Sequence, residues 1–330
     1  MLRDPGRAAS SVIGVLLLVG VVVVVGGVVA VGALTFLDGT GAPEATASFD
    51  YEQTAAGLRM TPQAISTTVT VRLNGQEVAT FDPESAGQSA LLPTAPGDRI
   101  TVVSTDEERS VLVDRTVDDR SEVGDFIAYY TFDGEDGDMT LEDQSGNGND
   151  GTLTGESGDW TGSSYEFDGD DYFTVSDIGV SGTEVEEFTV AVAYKQTDPG
   201  GGDDVSQLVE HQYEGVSNEW FLENRYGSDS YRTEFAVEFP DNQVASGYDY
   251  DLGERHVAVG TYDGSDYSLY VDGSRVGGGS HDDTVDTEEM RIGRDFESDI
   301  QYFNGEIYEV RLYYTAFGEA EVERITNAME

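Results

Sequence analysis

The sequence predicts a mostly β protein with a hydrophobic α-helix at its N-terminus, and three observations lead to this prediction. The stretch 12–37 is uncharged, and a helix of that length crosses a bilayer of about 30 Å. Beyond it, runs of alternating apolar and polar residues are separated by Asn-Gly and Asp-Gly turn signals. A long amphipathic helical pattern follows only at 318–329, so we expect antiparallel sheets.

The composition is strongly acidic, with 65 Asp+Glu against 17 Lys+Arg and a formal net charge of -48 over 330 residues. Such a field repels nucleic acid, so no nucleic-acid partner is expected. Hydrophobic residues (38%) and aromatic residues (10%) are sufficient for a folded core, unlike in disordered acidic tails. Because molar salt shortens the Debye length to about 3 Å and screens self-repulsion, the charge predicts a halophilic protein.

The N-terminal segment allows three interpretations: a cleaved secretory signal, a membrane anchor, or the assembly helix of a filament subunit. Its apolar run exceeds the usual length of a signal-peptide core, so a secretory signal is the least favoured. A basic leader, residues 1–7, precedes this run. The positive-inside rule therefore places the N-terminus in the cytoplasm and residues 38–330 outside the cell.

Residues 7–14, Arg-Ala-Ala-Ser-Ser-Val-Ile-Gly, resemble the start of haloarchaeal type IV pilins. In that family a dedicated peptidase cuts before the apolar stretch, which stays on the mature subunit. The resemblance implies cleavage next to Arg7 and Ala8 and a pilin-type helix over 8–37. Its expected partners are other pilin subunits and the membrane. Ala9 and Ser11 depart from the valine and proline that are usual in the family.

A linker over 38–46 leads into a small β-sandwich predicted over 47–118. Two alternating runs, 68–73 and 76–81, flank Asn74-Gly75, which predicts a hairpin with a two-residue turn. No catalytic grouping is visible in this unit. It resembles the small β-sandwich that follows the helix in haloarchaeal pilins.

A second linker is predicted at 119–124 and a larger antiparallel β-domain at 125–330. Six motifs in this domain occur in an order that resembles the laminin-G-like, concanavalin-A-like jelly-roll family. They lie at 130–134, 143–153, 165–173, 255–265, 267–273 and 303–313. The resemblance implies a lectin-like jelly roll that binds an extracellular glycan or a surface protein.

The loop 143–150 places oxygen-bearing side chains between glycines, an arrangement that suits the oxygen ligands of calcium. Relatives of this fold often hold a structural Ca2+ between the opening strand, a nearby loop and the closing strand. The resemblance implies metal ligands at Asp133, Asp143, Asn147, Asn149 and Glu309. The alternative is a chain of Asx turns without a metal. The three aspartates within 168–171 form a second candidate cluster.

Exposed aromatic rings serve lectins as platforms for sugar faces. The predicted ligand-binding residues are Tyr213, Trp220, Tyr226 and Tyr231, which fall in one loop-and-strand region. Each of these rings is equally suited to the core of a sandwich.

No catalysis is expected. Glucanases with the same jelly roll need paired carboxylates on one strand, which relatives carry in a Glu-x-Asp-x-x-Glu motif. No such motif occurs in this sequence. The odd spacing of Glu306 and Glu309 predicts side chains on opposite faces of a strand. The three histidines, His211, His256 and His281, are scattered along the sequence.

The leading prediction is therefore a type IV pilin-like cell-surface adhesin subunit that displays a lectin-like domain in high salt. Two alternatives stay open. One is a monomeric membrane-anchored lectin-like surface protein that never forms filaments. The other is a glycoside-cleaving enzyme with an unrecognised site.

Overall fold

The computed structural model describes residues 45–105, 109–117, 122–155, 159–176, 178, 185–198, 205–212, 219–227, 230–238, 244–280, 289–296 and 301–330. The leader 1–7, the predicted helix 8–37 and most of the linker 38–46 lie outside these residues. Within the described ranges no helix is long and apolar enough to cross a membrane. The chain from Asp38 to Glu330 is one compact unit.

The first seven strands build a small β-unit from two antiparallel sheets. They are β1 (Ala47–Thr54), β2 (Gly57–Ile65), β3 (Val69–Leu73), β4 (Gln76–Phe81), β5 (Ala90–Leu92), β6 (Arg99–Ser104) and β7 (Val111–Thr116). The sheet orders are β1-β2-β5 and β4-β3-β6-β7. The hairpin predicted around Asn74-Gly75 is confirmed, because these residues have φ values of 50° and 92°, as a two-residue type I′ turn requires.

The remaining strands form a larger antiparallel sandwich, followed by helix α1 (Glu319–Met329). Its opening strands are β8 (Phe126–Thr131), β9 (Thr140–Leu141), β10 (Gly151–Thr154), β11 (Asp159–Trp160), β12 (Tyr165–Asp168), β13 (Tyr172–Val175), β14 (Phe188–Gln196) and β15 (Val205–Gln212). Its closing strands are β16 (Glu219–Gly227), β17 (Ser230–Glu238), β18 (Val244–Asp249), β19 (His256–Tyr262), β20 (Asp266–Val271), β21 (Ser274–Ser280), β22 (Glu289–Ile292) and β23 (Asn304–Tyr313).

Two sheets face each other in this sandwich. The front sheet has the order β18-β17-β16-β15-β22-β13-β10-β9. The back sheet has the order β11-β12-β23-β14-β19-β20-β21, and β8 also pairs with β23. The predicted antiparallel, jelly-roll-like β-sandwich is confirmed.

The main core lies between the two sheets. Alternation along β14 points Val190 and Val192 inward, where they meet front-sheet residues such as Phe173, Leu222 and Phe235. All five side chains are fully buried. The apolar alternation of the sequence thus becomes the interior of a two-layer domain.

A second core covers the outer face of the back sheet. Val257 and Val259 of β19 point away from the main core and pack with Val71 of the small β-unit and Ile325 of α1. Helix α1 contacts β4, β5 and β19, so it lies between the small β-unit and the back sheet. Strand β19 is therefore buried on both faces.

The segment that joins the two β-units is tied to the small β-unit by hydrogen bonds. Asp125 N–H donates to the carbonyl of Ala55 (2.7 Å), and Gly124 N–H donates to the carbonyl of Thr94 (3.2 Å). Residues 122–124 of the predicted linker 119–124 thus lie in the contact between the two β-units.

One sequence signal has a different role from the predicted one. Asn304-Gly305 reads as a turn, but both residues belong to β23. Gly305 has a φ of 144°, and a Cβ at this position would lie 2.2 Å from the carbonyl oxygen of Lys195. The glycine is needed because β14 and β23 approach closely here.

Strand β23 also contains a β-bulge. Tyr194 of β14 pairs with Ile307, and the next pair joins Ala193 to Glu309, so Tyr308 is an additional residue on β23. The alternation of side chains therefore changes phase at this point.

As a result, Glu306 and Glu309 lie on the same face, and the prediction that they point to opposite faces is wrong. The Tyr308 hydroxyl donates a hydrogen bond to Glu306 (3.1 Å), and Arg311 pairs with Glu309 on the outer face of the back sheet. The odd-spacing argument assumes a regular pleat, which the bulge interrupts.

Candidate functional site

The loop predicted to hold calcium is organised by the Asp143 carboxylate, which accepts four hydrogen bonds. Oδ1 accepts the backbone N–H groups of Tyr129 (3.0 Å) and Ser145 (2.9 Å). Oδ2 accepts the Ser145 hydroxyl (2.7 Å) and the Asn149 N–H (3.0 Å). The contact from Asp143 to the N–H two residues later is an Asx turn, the alternative that the sequence left open.

The two asparagines of this loop bind strand β8 through their side-chain amides. Asn147 Nδ2 donates to the carbonyls of Phe126 (2.7 Å) and Ile127 (3.1 Å). Asn149 Nδ2 donates to the carbonyl of Ile127 (2.8 Å). Both amides therefore anchor the loop to the opening strand of the sandwich.

The remaining two predicted ligands lie elsewhere. Asp133 is exposed and accepts a hydrogen bond from the Thr131 hydroxyl (3.0 Å), whereas Glu309 pairs with Arg311. Asp133, Asp143 and Glu309 do not form a group with ligand atoms within 4.8 Å of one another. The calcium site at these positions stays a prediction.

The second candidate cluster, Asp168, Asp170 and Asp171, does bring one carboxylate oxygen from each residue within 4.8 Å of the others. Asp171 is fully buried and accepts a hydrogen bond from the Tyr165 hydroxyl (2.5 Å). Burial raises the pKa of Asp171 to about 6, although this hydrogen bond opposes the rise. Asp168 and Asp170 are exposed, as surface carboxylates commonly are without a metal.

The predicted aromatic ligand residues separate into three environments. Trp220 is 2% exposed and stacks on His211 at a centroid distance of 5.9 Å, so it is a core residue and offers no platform to a sugar. Tyr226 and Tyr231 are half-buried at the end of the β16–β17 hairpin, with ring centroids 4.9 Å apart. Tyr213 lies outside the described residues.

The outer face of the front sheet carries a set of charged and aromatic side chains that were not predicted as site residues. Alternation along β16 points Trp220 and Leu222 into the core and the intervening residues outward. On β15, β16 and β17 this face holds Glu210, Phe221, Glu223, Arg225 and Glu234. Glu223 and Arg225, which have opposite charges two positions apart in the run 221–225, are the sequence signal that could have identified this face.

Two carboxylates and one guanidinium form the centre of this face. Glu223 lies directly opposite Glu234 on the neighbouring strand. Arg225 Nη2 contacts Glu223 Oε1 (3.0 Å), and its Nε contacts Glu234 Oε2 (3.3 Å). Glu223 is only 4% exposed, and burial raises its pKa to about 7. Arg225 opposes this rise, while Glu234 and Asp295 add to it.

This raised pKa predicts that Glu223→Gln stabilises the protein above neutral pH. The ordinary glutamate pKa is 4.5, so the folded protein binds this proton more tightly than the unfolded chain. The resulting stability is fully present below pH 4.5 and is lost as the pH rises to about 7. We expect Glu223→Gln to be roughly 3 kcal/mol more stable than the wild type at pH 8 and nearly equal to it at low pH. Denaturant midpoints across this pH range measure the difference.

Glu306→Gln is the matched control, with the opposite sign. Burial raises the pKa of Glu306, but hydrogen bonds from Lys195, Ser164 and Tyr308 lower it more, so the net shift is downward. Its ionised form stabilises the fold at neutral pH, and this stability is lost in acid. Equal pH profiles for the wild type and Glu223→Gln would contradict the buried-proton argument.

Comparison with known families gives a match to the larger sandwich. Residues 167–323 match the family model of the concanavalin A-like lectin/glucanases superfamily. The match confirms the predicted lectin-like jelly roll for this part of the chain. No curated protein matches the chain.

Three solved structures are similar to this chain. Domain 4 of AbnA, a GH43 extracellular arabinanase from Geobacillus stearothermophilus solved in complex with arabinotriose, is 17% identical with a TM-score of 0.46, over 61% of this chain and 98% of that one. The SAP-like pentraxin from Limulus polyphemus is 13% identical with a TM-score of 0.39, over 53% of this chain and 80% of that one. The receptor binding domain of botulinum neurotoxin D is 13% identical with a TM-score of 0.47, over 61% of this chain and 52% of that one. At these TM-scores, nothing about the function of this chain follows from the similarities.

Proposed function

We propose that this chain is a lectin-like protein that binds carbohydrate on the outer face of its front sheet. The observation that carries the proposal is the coverage of the other sheet. The small β-unit and α1 bury the outer face of the back sheet. On the described part of the front sheet's outer face, Glu210, Glu223 and Glu234 are buried, whereas Phe221 and Tyr172 are half-buried and Arg225 is exposed, so these three can meet a ligand. The match to a family that includes lectins supports a sugar as that ligand.

The side chains of the front face suit a sugar. Phe221 and Tyr172 are half-buried rings on this face, and Thr174 and Arg225 are polar residues of the same face. Carbohydrate sites combine aromatic faces, which pack on C–H groups, with a few directional donors and acceptors for hydroxyl groups.

A glycan array probed with the full chain in detergent and molar salt tests the proposal. We expect Phe221→Ala to weaken glycan binding by about threefold to tenfold, because an aromatic contact contributes about 0.5–1.5 kcal/mol. Tyr51→Ala, which removes a half-buried ring from the small β-unit, is the control and should bind normally. Absence of binding to every glycan, or equal losses in both variants, would contradict the proposal. Repeating the array with a chelator tests the predicted calcium.

The place of action follows from the N-terminus. We propose that the residues around 7–14 direct pilin-type processing and that the helix 8–37 holds the lectin-like domain at the cell surface or in a filament. Mass spectrometry of the mature protein should find a terminus near Ala8. An intact leader would overturn the pilin route and favour the monomeric membrane-anchored alternative.

A second candidate function is glycoside cleavage, which one observation favours. Glu223, whose pKa is about 7, lies opposite Glu234 on a sheet face, and glycosidases use two carboxyl groups of which one stays protonated. Release of reducing ends from a polysaccharide panel, abolished in Glu223→Gln, would establish it. Binding without any release would leave the lectin-like function alone.

A further inference from the structure

A buried amide oxygen on the front face lacks a hydrogen-bond donor among the described residues. Gln207 is 1% exposed, and its Nε2 donates to the carbonyl of Val209 (3.3 Å). Its Oε1 is also buried, and no donor in the described part of the chain reaches it. An acceptor left in this state costs about 1–3 kcal/mol, so a donor is expected close to it.

Glu223 lies directly opposite Gln207 on the neighbouring strand. The Cβ atoms of such a pair are about 4.5–5.5 Å apart. Glu223 contacts Arg225 through Oε1 (3.0 Å), which leaves Oε2 as the oxygen that can carry a proton. A protonated carboxyl group is an O–H donor, whereas an ionised one only accepts. A proton on Glu223 therefore supplies the donor that the amide oxygen of Gln207 needs.

The charges around Glu223 favour this proton. The charged groups on the elements packed around it are Arg225, Arg232, Glu234, Glu210 and Asp295. Glu223 and Glu234 are both buried, lie opposite each other and share one guanidinium, that of Arg225. Two carboxylates in this arrangement do not both ionise readily where water is excluded. Burial raises the pKa of Glu223 to about 7 against the opposing effect of Arg225, so this group titrates close to neutral pH.

A sugar bound on this face would cover Glu223. Phe221, Glu223 and Arg225 are successive outward residues of β16, about 7 Å apart. A ligand that packs on the Phe221 ring and extends towards Arg225 lies over the carboxyl group between them and removes its remaining contact with water. Loss of water disfavours an ionised carboxylate much more than a protonated one. The protonated form of Glu223 is therefore the form that binds an uncharged sugar.

We propose that the Glu223–Gln207 pair is a proton switch of the front face: the face binds glycan while Glu223 donates its proton to Gln207, and loss of this proton weakens binding. This inference rests on the proposed carbohydrate-binding function and adds the regulation of the same site. Because the ligand-bound form holds the proton more tightly, affinity is complete below the pH at which Glu223 ionises. It falls as the pH rises through that point, by at most about tenfold for each unit of pH.

Measurement of glycan binding against pH tests the switch. The full chain in detergent and molar salt is measured from about pH 5.5 to about pH 8.5. The probes are dextran, laminarin, mannan and the uncharged glycans that bind on the array, since none of them titrates in this range. We expect binding about tenfold or more tightly at the acid end than at the alkaline end. Above neutral pH, binding should also take up a proton, which calorimetry in buffers of different ionisation enthalpy measures.

Variants of the charged groups should move the transition in defined directions. Glu223→Gln is uncharged at every pH, so its affinity should stay constant across the range. Glu234→Gln removes a negative charge and should lower the pH of the transition, whereas Arg225→Gln removes the opposing positive charge and should raise it. Both are judged by the midpoint and not by the absolute affinity. Glu166→Gln, an exposed glutamate on β12 of the back sheet, is the control and should keep the wild-type profile.

Infrared difference spectra between acid and alkaline pH detect the proton directly. The wild type should show a carboxyl C=O band that Glu223→Gln lacks. Gln207→Met removes the acceptor and should move this band to higher frequency, because the O–H group loses its hydrogen bond. An unchanged band in Gln207→Met would show that Glu223 does not donate to Gln207. Circular dichroism confirms that each variant is folded.

The outcomes distinguish the two proposals. If affinity for an uncharged glycan does not change with pH, or if Glu223→Gln keeps the wild-type profile, the switch is wrong and the lectin-like function stands. The same holds if only charged glycans bind. If no glycan of any kind binds, the proposed function fails and the switch fails with it.

Discussion

Arg311→Met is expected to destabilise the protein by about 3–5 kcal/mol, because it breaks a buried ion pair. Arg311 is 1% exposed, and its Nε lies 2.5 Å from a carboxylate oxygen of Glu309. Its Nη1 donates to the carbonyl of Pro93 in the small β-unit (3.2 Å). Methionine of similar length leaves both acceptors without this donor in the contact between the back sheet and the small β-unit. The shift of the denaturant midpoint in molar salt measures the loss.

Two further variants test this reasoning. Arg275→Met removes an exposed arginine and should change stability by less than about 0.5 kcal/mol. Glu309→Gln combined with Arg311→Met removes both charges and should recover much of the stability, since replacing a whole buried pair is often neutral. An Arg311→Met protein as stable as the wild type would mean that this arginine does not hold the two β-units together.

Gly305→Ala is expected to cost about 2–6 kcal/mol, the sum of a strained backbone and an overpacked strand pair. Its φ of 144° disfavours any side chain, and a Cβ would lie 2.2 Å from the Lys195 carbonyl oxygen and 2.8 Å from the Gln196 Cα. Both contacts are with backbone, so no side-chain rotation relieves them. The strands β14 and β23, which are neighbours in the back sheet, would have to separate where β14 ends and β23 begins.

Gly137→Ala provides the matched control. Gly137 also has a positive φ (93°), but a Cβ added there would meet no described atom within 4 Å. We expect this variant to lose only about 1 kcal/mol, the conformational cost of a non-glycine residue. Equal losses of Tm in the two variants would show that the close approach of β14 and β23 contributes nothing.

Much of the fold could be predicted because its signals are local. Asn74-Gly75 and Asp272-Gly273 specify tight hairpin turns whose residues all adopt positive φ, and the flanking alternation predicts the strands. Gly305 shows the limit of such signals. The Asn-Gly pair at 304–305 lies at a close contact between two strands and not in a turn. This role could not be predicted from the local sequence, because Gln196, which pairs with Gly305, is distant in sequence.

The site could be predicted only in part, for the same reason. The sequence identified an organised loop around Asp143, but the partners of that carboxylate on β8 depend on tertiary contacts. Glu223 and Glu234 come together through strand pairing, and a period-two pattern does not say which face of a two-sided sheet is left outside. Trp220 illustrates this ambiguity, since its side chain points to the interior.

The second core has a consequence for how this chain could be shortened or recombined. Val257, Val259 and Tyr270 face the small β-unit and α1 instead of water. A fragment that begins at 125 would expose this apolar sheet face, and such a face promotes aggregation. The lectin-like sandwich is therefore not a portable module: a soluble fragment for expression, or a graft onto another carrier, must keep residues 47–117 with it.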